Sequence, residues 1–254
     1  MIDTHRIPFL NTFVDNLTAA EAKSCVDQLI KEPGYHYVVT PNSDIVVKMQ
    51  NDHELKRICE NADLILTDGQ IVVNISRRTR YPIKERVCMT DFVWDVCDLA
   101  SEKEYKIFLF GGKEDVLDRA TKKIQVKYPN ITIVGSFSPP FGFEKDRIQL
   151  QEANNRIRSS GADILIVFLG CPKQEKFIAD NKDKYCVPIS FTMGGCVDFI
   201  GGGVKRAPQW MQKAGLEWFY RFLQEPRRMF KRYFVDDIKI FGLARRYKHC
   251  YRGK

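Results

Sequence analysis

Six short apolar runs recur along the first 200 residues of this chain, and between them the apolar residues fall at helical spacing. The runs cover residues 37–39, 64–66, 107–110, 131–134, 164–169 and 189–191 and are rich in β-branched and aromatic side chains. Intervening segments such as 114–127 and 145–160 place apolar residues every three or four positions among charges, the pattern of a helix that buries one stripe. Strands and helices in strict alternation build an α/β domain, a mostly parallel sheet with helices on both faces. Near the start, residues 7–14 read as a further strand. Thr18 followed by Glu21 reads as a capping box for a helix over 19–31.

In open parallel sheets ligands collect outside the carboxyl ends of the strands. Here those positions are unusually polar or small. The runs end in Thr40-Pro41-Asn42, Thr67-Asp68-Gly69, Gly111-Gly112, Gly170-Cys171-Pro172-Lys173-Gln174-Glu175 and Gly194-Gly195-Cys196-Val197-Asp198. Taken singly, each is a turn or a helix cap; taken together they define one ligand site along one edge of the sheet. Asp68 is the one carboxylate immediately at such a strand end, and its position suits a general base that takes a proton from an attacking hydroxyl. Its alternative role is to cap a helix over 70–79. Gly111 and Gly112 precede a helix whose free N–H groups suit phosphate or ribose, but the dinucleotide fingerprint G-x-G-x-x-G is missing.

Charge divides the chain at about residue 200. Residues 201–254 hold 14 Lys and Arg against 4 Asp and Glu, net +10, while residues 1–200 carry net −2. Gly201-Gly202-Gly203 stands at the junction. The expected organisation is therefore a catalytic core over 1–200 and a basic, aromatic-rich helical appendage over 201–254. No window approaches the roughly 18 apolar residues of a membrane span, and the N-terminus lacks a signal-peptide pattern; a cytoplasmic location is expected. The eight cysteines and four histidines are scattered, so reduced thiols, no metal site and no cofactor are expected. Asp236-Asp237 in the tail reads as a solvated helix face.

Several of these blocks resemble the WecG/TagA/CpsF glycosyltransferases, glycosyltransferase family 26. They are Thr40-Pro41-Asn42, Thr67-Asp68-Gly69, Glu85-Arg86-Val87, Gly111-Gly112, the Pro172-Lys173-Gln174-Glu175 block, Gly194-Gly195 with Asp198, Arg206-Ala207-Pro208, and Leu216-Glu217-Trp218-Phe219-Tyr220-Arg221 followed by Glu225-Pro226-Arg227-Arg228. They run in order over residues 40–233. The resemblance implies a Rossmann-like core with a C-terminal helical appendage. It also implies inverting, metal-independent transfer from a UDP-sugar to an undecaprenyl-diphosphate-linked sugar, in teichoic acid, capsule or exopolysaccharide synthesis. N-acetylmannosamine or a related sugar is the donor expected from such a resemblance. Two segments depart from the family pattern: Cys88-Met89, where a glycine is usual two positions after Arg86-Val87, and 138–143, which replaces a Gly-Tyr-Phe turn.

On this reading Asp68 is the base, and arginines replace a cation at the leaving diphosphate. Arg86, Arg221, Arg227 and Arg228 are the candidates. Thr40, Asn42, Gly69 and Gln174 are expected at the sugar or acceptor, and Gly111, Gly112, Gly194, Gly195 and Asp198 on the nucleotide side. Arg206 is expected either at the site or paired with a core carboxylate. The basic tail, with Trp210, Trp218, Phe219, Phe222, Phe230, Phe234 and Phe241, is expected to complete the site and hold the enzyme peripherally on an anionic membrane surface at the inner face of the cell membrane. The alternative for these aromatics is simple packing of the tail onto the core. Two other classes stay open: a nucleotide-dependent oxidoreductase, which fits the sheet without its fingerprint, and a nucleic-acid-binding module, which fits the tail but leaves the strand-end cluster without a role. The sequence leaves the oligomeric state open, with a homo-oligomer among the alternatives.

Overall fold

A computed structural model describes residues 4–251, with the side chains of Lys213, Arg228 and residues 248–251 outside that description. The chain opens with two strands, β1 (Arg6–Phe9) and β2 (Thr12–Asp15), and continues into β3 (His36–Val39), β4 (Leu64–Ile65), β5 (Lys106–Gly111), β6 (Thr132–Phe137), β7 (Ile164–Phe168) and β8 (Ile189–Thr192). The last six form one parallel sheet in the order β4-β3-β8-β7-β5-β6. Successive side chains of a strand point to opposite faces, and each face has its own core. Val38, Leu64, Ile107, Leu109, Ile164, Ile166, Ile189 and Phe191 pack on one side, under the helices Ala19–Lys31, Met89–Lys103, Glu114–Lys127 and Cys196–Ile200. Tyr37, Val39, Ile65, Phe108, Phe110, Leu165 and Val167 pack on the other, under Ser43–Lys48, His53–Glu60, Gln70–Ser76, Arg147–Ser159 and Lys173–Tyr185.

The helix after β3 and the helix after β8 therefore lie on opposite faces although their strands are neighbours. A crevice opens between diverging connections of this kind. The strands that flank it carry Thr40-Pro41-Asn42 and Gly194-Gly195 at their carboxyl ends.

Residues 7–14 do not form a single strand but a hairpin, with Ile7 opposite Val14 and Phe9 opposite Thr12. The physical reason is in the burial: Phe9 and the adjacent Leu10 are both buried, which a straight strand with one buried face forbids. Leu10 turns the chain at φ 49. Asp15 then fastens the hairpin to the sheet edge. Its buried carboxylate accepts from Ile65 N at 2.7 Å, Arg6 Nε at 2.8 Å and Thr4 Oγ1 at 2.6 Å. The Thr18–Glu21 capping box forms as the sequence indicates.

The glycines at 201–203 are not a loose hinge. A Cβ on Gly201 would stand 2.7 Å from Val116 O, and Arg119 Nε donates to Gly201 O at 3.1 Å, so the chain is pressed against the helix Glu114–Lys127. Beyond it come the helices Gln209–Lys213, Glu217–Gln224 and Pro226–Lys231, a π-helical turn Arg232–Asp236, and the helix Lys239–Tyr251. That final helix returns to the sheet and buries Ile240 and Leu243 in the second core. Asp237 corrects the expectation of a solvated acidic pair: it is buried beneath the π-helical turn, with its carboxyl raised to about 6 by burial against the opposing charge of Arg232. Its placement follows from the return of the last helix, which no local pattern announces.

Gly111 closes β5 at φ 97, with an added Cβ 2.9 Å from Leu169 Cδ2 and 3.0 Å from the Phe168 backbone. Because one of the obstacles is main chain, Gly111→Ala is expected to destabilise the fold by roughly 1–3 kcal/mol. A urea midpoint equal to wild type would show that β5 and β7 can part at no cost.

Candidate active site

The carboxyl ends of β3 and β8 are stitched together by two threonines. Thr40 Oγ1 donates to Thr192 O at 3.0 Å, and Thr192 Oγ1 donates to Val38 O at 3.3 Å. Both side chains are buried, so Thr40 forms the floor of the crevice. Asn42 caps the helix Ser43–Lys48 by accepting from Ile45 N at 3.1 Å. Its amide nitrogen makes no hydrogen bond among the described residues. Gly69, at φ 107, lies with its virtual Cβ 3.8 Å from Asn42 Cβ, which brings the Asp68 turn beside the Asn42 turn.

Asp68 makes no side-chain cap on the helix Gln70–Ser76, whose N-cap is Gly69. Its carboxyl is turned into the site. Burial raises it to about 6; Arg86 opposes that rise, Glu217 adds to it, and Arg232 and the Gly69 N–H oppose it. A carboxylate held near 6 by its surroundings is suited to accept a proton at neutral pH. Arg86 NH1 donates to Glu217 Oε2 at 3.2 Å, and Glu217 Oε1 stands 3.4 Å from Arg206 Nε. Arg206 in turn forks onto Asp91, with NH2 to Oδ2 at 2.6 Å and a further contact from NH1 to Oδ1. Arg206 is thus a clamp between the tail and the helix Met89–Lys103.

Gln174 lies in the first turn of Lys173–Tyr185, as its place after Pro172 requires. Its side chain is buried: Oε1 accepts from Gly194 N at 2.9 Å and Nε2 donates to Glu175 Oε1 at 2.9 Å. Gln174 ties the turn after β7 to the turn after β8. Glu175 is fully buried and raised by burial, with Gln174 the largest opposing influence.

Opposite, Gly195 leaves room for a tail residue. A Cβ there would stand 3.3 Å from Arg221 NH2 and 4.0 Å from Asp198 Oδ2. Arg221 also lies 4.9 Å over the Phe199 ring and 3.7 Å from Glu225 Oε2. Asp198 gives no side-chain cap to the helix Cys196–Ile200. On the β5 side, Gly112 accepts from Ser138 Oγ at 2.6 Å, and an added Cβ would meet Val197 Cγ1 at 3.1 Å. Arg227 is exposed on Pro226–Lys231, and the Arg228 side chain lies outside the described residues. Two surface hollows, one lined by Ile148 and Arg156 and the other by His36 and Arg57, contain none of these strand-end residues. Among the described residues no three His, Cys, Asp or Glu side chains are grouped to hold a metal ion.

The model of the glycosyl transferase WecG/TagA/CpsF family matches residues 7–253. The chain belongs to this family. Among its relatives is the N-acetylglucosaminyldiphosphoundecaprenol N-acetyl-beta-D-mannosaminyltransferase of Bacillus subtilis (strain 168), 33% identical over 224 residues, which cover 88% of this chain and 84% of the relative. A protein of the same description from Bacillus spizizenii (strain ATCC 23059 / NRRL B-14472 / W23) is 30% identical over 192 residues, 76% of this chain and 72% of the relative.

In this glycosyltransferase the two departures noted in the sequence fall at different depths. Cys88 borders the site, with Sγ 2.9 Å from Thr90 Oγ1 and 4.0 Å from Arg206 NH2, and its thiol is pushed up to about 12 by burial and then by Asp68. Met89 is buried in the first core. In the segment after β6, Ser138 holds Gly112 while Phe141 is 98% exposed beneath the Lys173 ammonium, 4.4 Å from its ring.

Sequence reasoning passed over Glu217 and Arg232. Glu217 was visible as one of four acidic residues in a tail of net +10, a clue that it answers particular cations. Arg232 carried no such sign; only the π-helical turn, a feature frequent at functional sites, brings its charge to bear on both Asp68 and Asp237.

If Asp68 is the base, activity falls as pH drops through about 6, because protonation removes the acceptor for the hydroxyl proton. A kcat/KM profile is expected to show a single acidic limb there, and Asp68→Asn to lower turnover by roughly 10²-fold or more. Near wild-type turnover in Asp68→Asn would remove Asp68 from the chemistry.

Proposed function

We propose that this glycosyltransferase transfers N-acetylmannosamine, with inversion, from its UDP derivative to N-acetylglucosaminyl-diphospho-undecaprenol, in teichoic acid synthesis. The observation that carries the reading is Asp68, a strand-end carboxyl raised to about 6 and faced by arginines from both core and tail. The names of the Bacillus relatives supply acceptor and sugar. In the step, the acceptor oxygen bonds to the anomeric carbon and its proton passes to Asp68. The bond from that carbon to the diphosphate breaks, and its electron pair leaves on UDP. Arg86 and Arg221 supply positive charge to the departing diphosphate, and Arg227 and Arg228 are the further cations proposed for it. Asn42 and Gly69 line the acceptor side over the braces Thr40 and Gln174, while Gly111, Gly112, Gly194, Gly195 and Asp198 line the nucleotide side, with Arg206 as the clamp behind Arg86.

The same reading places the tail against the membrane. Among the described residues no helix is long and apolar enough to span a bilayer, and the attachment proposed is peripheral. Trp218, Phe222, Phe230 and Phe234 pack edge-on or tilted against one another or Phe219, with centroids 5.4–6.4 Å apart. Even so, Trp210, Trp218, Phe219, Leu223, Phe230, Phe234, Ile238 and Phe241 remain exposed. Rings that pack on each other and still face outward, on a segment of net +10, suit an anionic interface, where each basic residue contributes about 1 kcal/mol.

The test of the reaction is UDP release from UDP-N-acetylmannosamine with a short-chain N-acetylglucosaminyl-diphospholipid, with the product's anomeric configuration determined. Activity is expected to persist in EDTA; loss restored by magnesium or manganese would replace the arginines with a cation. Absence of transfer with this pair and success with another UDP-sugar would overturn the donor assignment.

For the membrane reading, the variant Trp210→Ser/Leu223→Ser/Phe241→Ser changes exposed side chains that stand outside the ring contacts. It is expected to lose roughly tenfold or more in co-sedimentation with phosphatidylglycerol vesicles while keeping the wild-type melting temperature. Unchanged vesicle binding would discard the aromatic face as the anchor.

A further inference from the structure

Glu217 is the first residue of a tail helix, yet one of its two cationic partners, Arg86, belongs to the core. Its two oxygens are divided between Arg86 at 3.2 Å and Arg206 at 3.4 Å, and only 18% of its side chain is exposed. Arg206 is itself held by both oxygens of Asp91. A chain of alternating charge therefore runs from Asp91 through Arg206 and Glu217 to Arg86, and Arg86 is the principal opposing charge on Asp68. The next two residues, Trp218 and Phe219, belong to the exposed aromatic face. One helical turn thus joins the surface proposed for the membrane to the group proposed as base.

We infer that Glu217 is a positioning residue: divided between Arg86 and Arg206, it fixes the placement of Arg86 at the proposed base when the tail helix is seated. This rests on the reaction proposed above. The charges that face Asp68 come from every side of the site. Arg86 comes from the segment before Met89–Lys103, Glu217 from the tail helix, Arg232 from the π-helical turn, and the Gly69 N–H from its own turn. The Cys88 and Cys196 thiols also border the site; both are raised first by burial and then by Asp68, so they stand neutral at physiological pH. Glu217 is the one anion in this set besides Asp68 itself. Its negative charge raises Asp68 directly, and it draws Arg86 toward itself, which weakens the hold of that cation on the base.

The consequence separates Glu217 from a residue that merely glues the tail down. Removing its charge leaves Arg86, Arg206 and Arg232 less compensated, and Asp68 becomes a weaker base. Glu217→Gln is expected to move the acidic limb of kcat/KM toward lower pH by about 0.5 unit or more, with the plateau kcat reduced roughly tenfold. Glu217→Asp keeps the charge on a shorter stem. It is expected to hold the limb nearer the wild-type position than Glu217→Gln does, while kcat falls, because the shorter stem spans Arg86 and Arg206 less well. Both profiles are read on the full-length enzyme with UDP release as the signal, and melting temperatures report the fold.

A Glu217→Gln profile that superimposes on wild type after scaling would overturn the inference and leave Glu217 as a structural contact. So would a limb in Glu217→Asp that shifts as far as in Glu217→Gln. Should Glu217→Gln fail to fold, the aspartate variant decides by the same limb and kcat readings. Failure of wild type to transfer at all would instead overturn the proposed reaction, so the two failures are distinguishable.

Discussion

A parallel sheet buried on both faces imposes one requirement from which the rest of this structure follows: every strand must leave the sheet at the same edge. β7 shows the constraint in its purest form, with all five residues from Ile164 to Phe168 buried and alternating between two cores. Because both faces are covered by helices, the chain turns at the carboxyl edge and polar side chains accumulate there. The crevice lies between β3 and β8, where one connection goes to each face. Thr40 and Thr192 cross-link that gap and keep the two strand ends in register.

In the proposed reaction the core supplies the base and one cation, and the tail supplies further charge. Burial raises the Asp68 carboxyl above the ordinary carboxylate range to about 6; Arg86 and Arg232 oppose that rise, while Glu217 adds to it. The result is a carboxylate that is ionised at neutral pH and still basic enough to take a proton. Arg221 reaches Gly195 because a glycine there leaves space for the guanidinium. The tail is consequently not an independent domain hung on a hinge. Gly201 is pinned to Val116, Ile240 and Leu243 enter the second core, and Glu217 enters the charge network.

Alternating hydrophobicity and strand-end composition were enough to place the six sheet strands, both helical layers and the edge where the site forms, since these depend on local period and on which residues tolerate a turn. Thr40, Asn42, Asp68, Gly69, Gly112 and Gly195 stand out in the same way, because each is small or polar where a buried strand should have continued, whereas Arg86 and Arg221 entered through the family resemblance. The jump to net +10 after residue 200 marked the tail as basic. What a local pattern could not contain was decided by tertiary structure. Folding back of residues 7–14 follows from the need to bury Phe9 and Leu10 together, and burial of Asp237 follows from the return of the last helix. The division of Glu217 between Arg86 and Arg206, which lie 131 and 11 residues away, exists only once the tail has crossed the crevice. Electrostatic coupling depends on distance through space and on exclusion of water, and neither is a property of residue order.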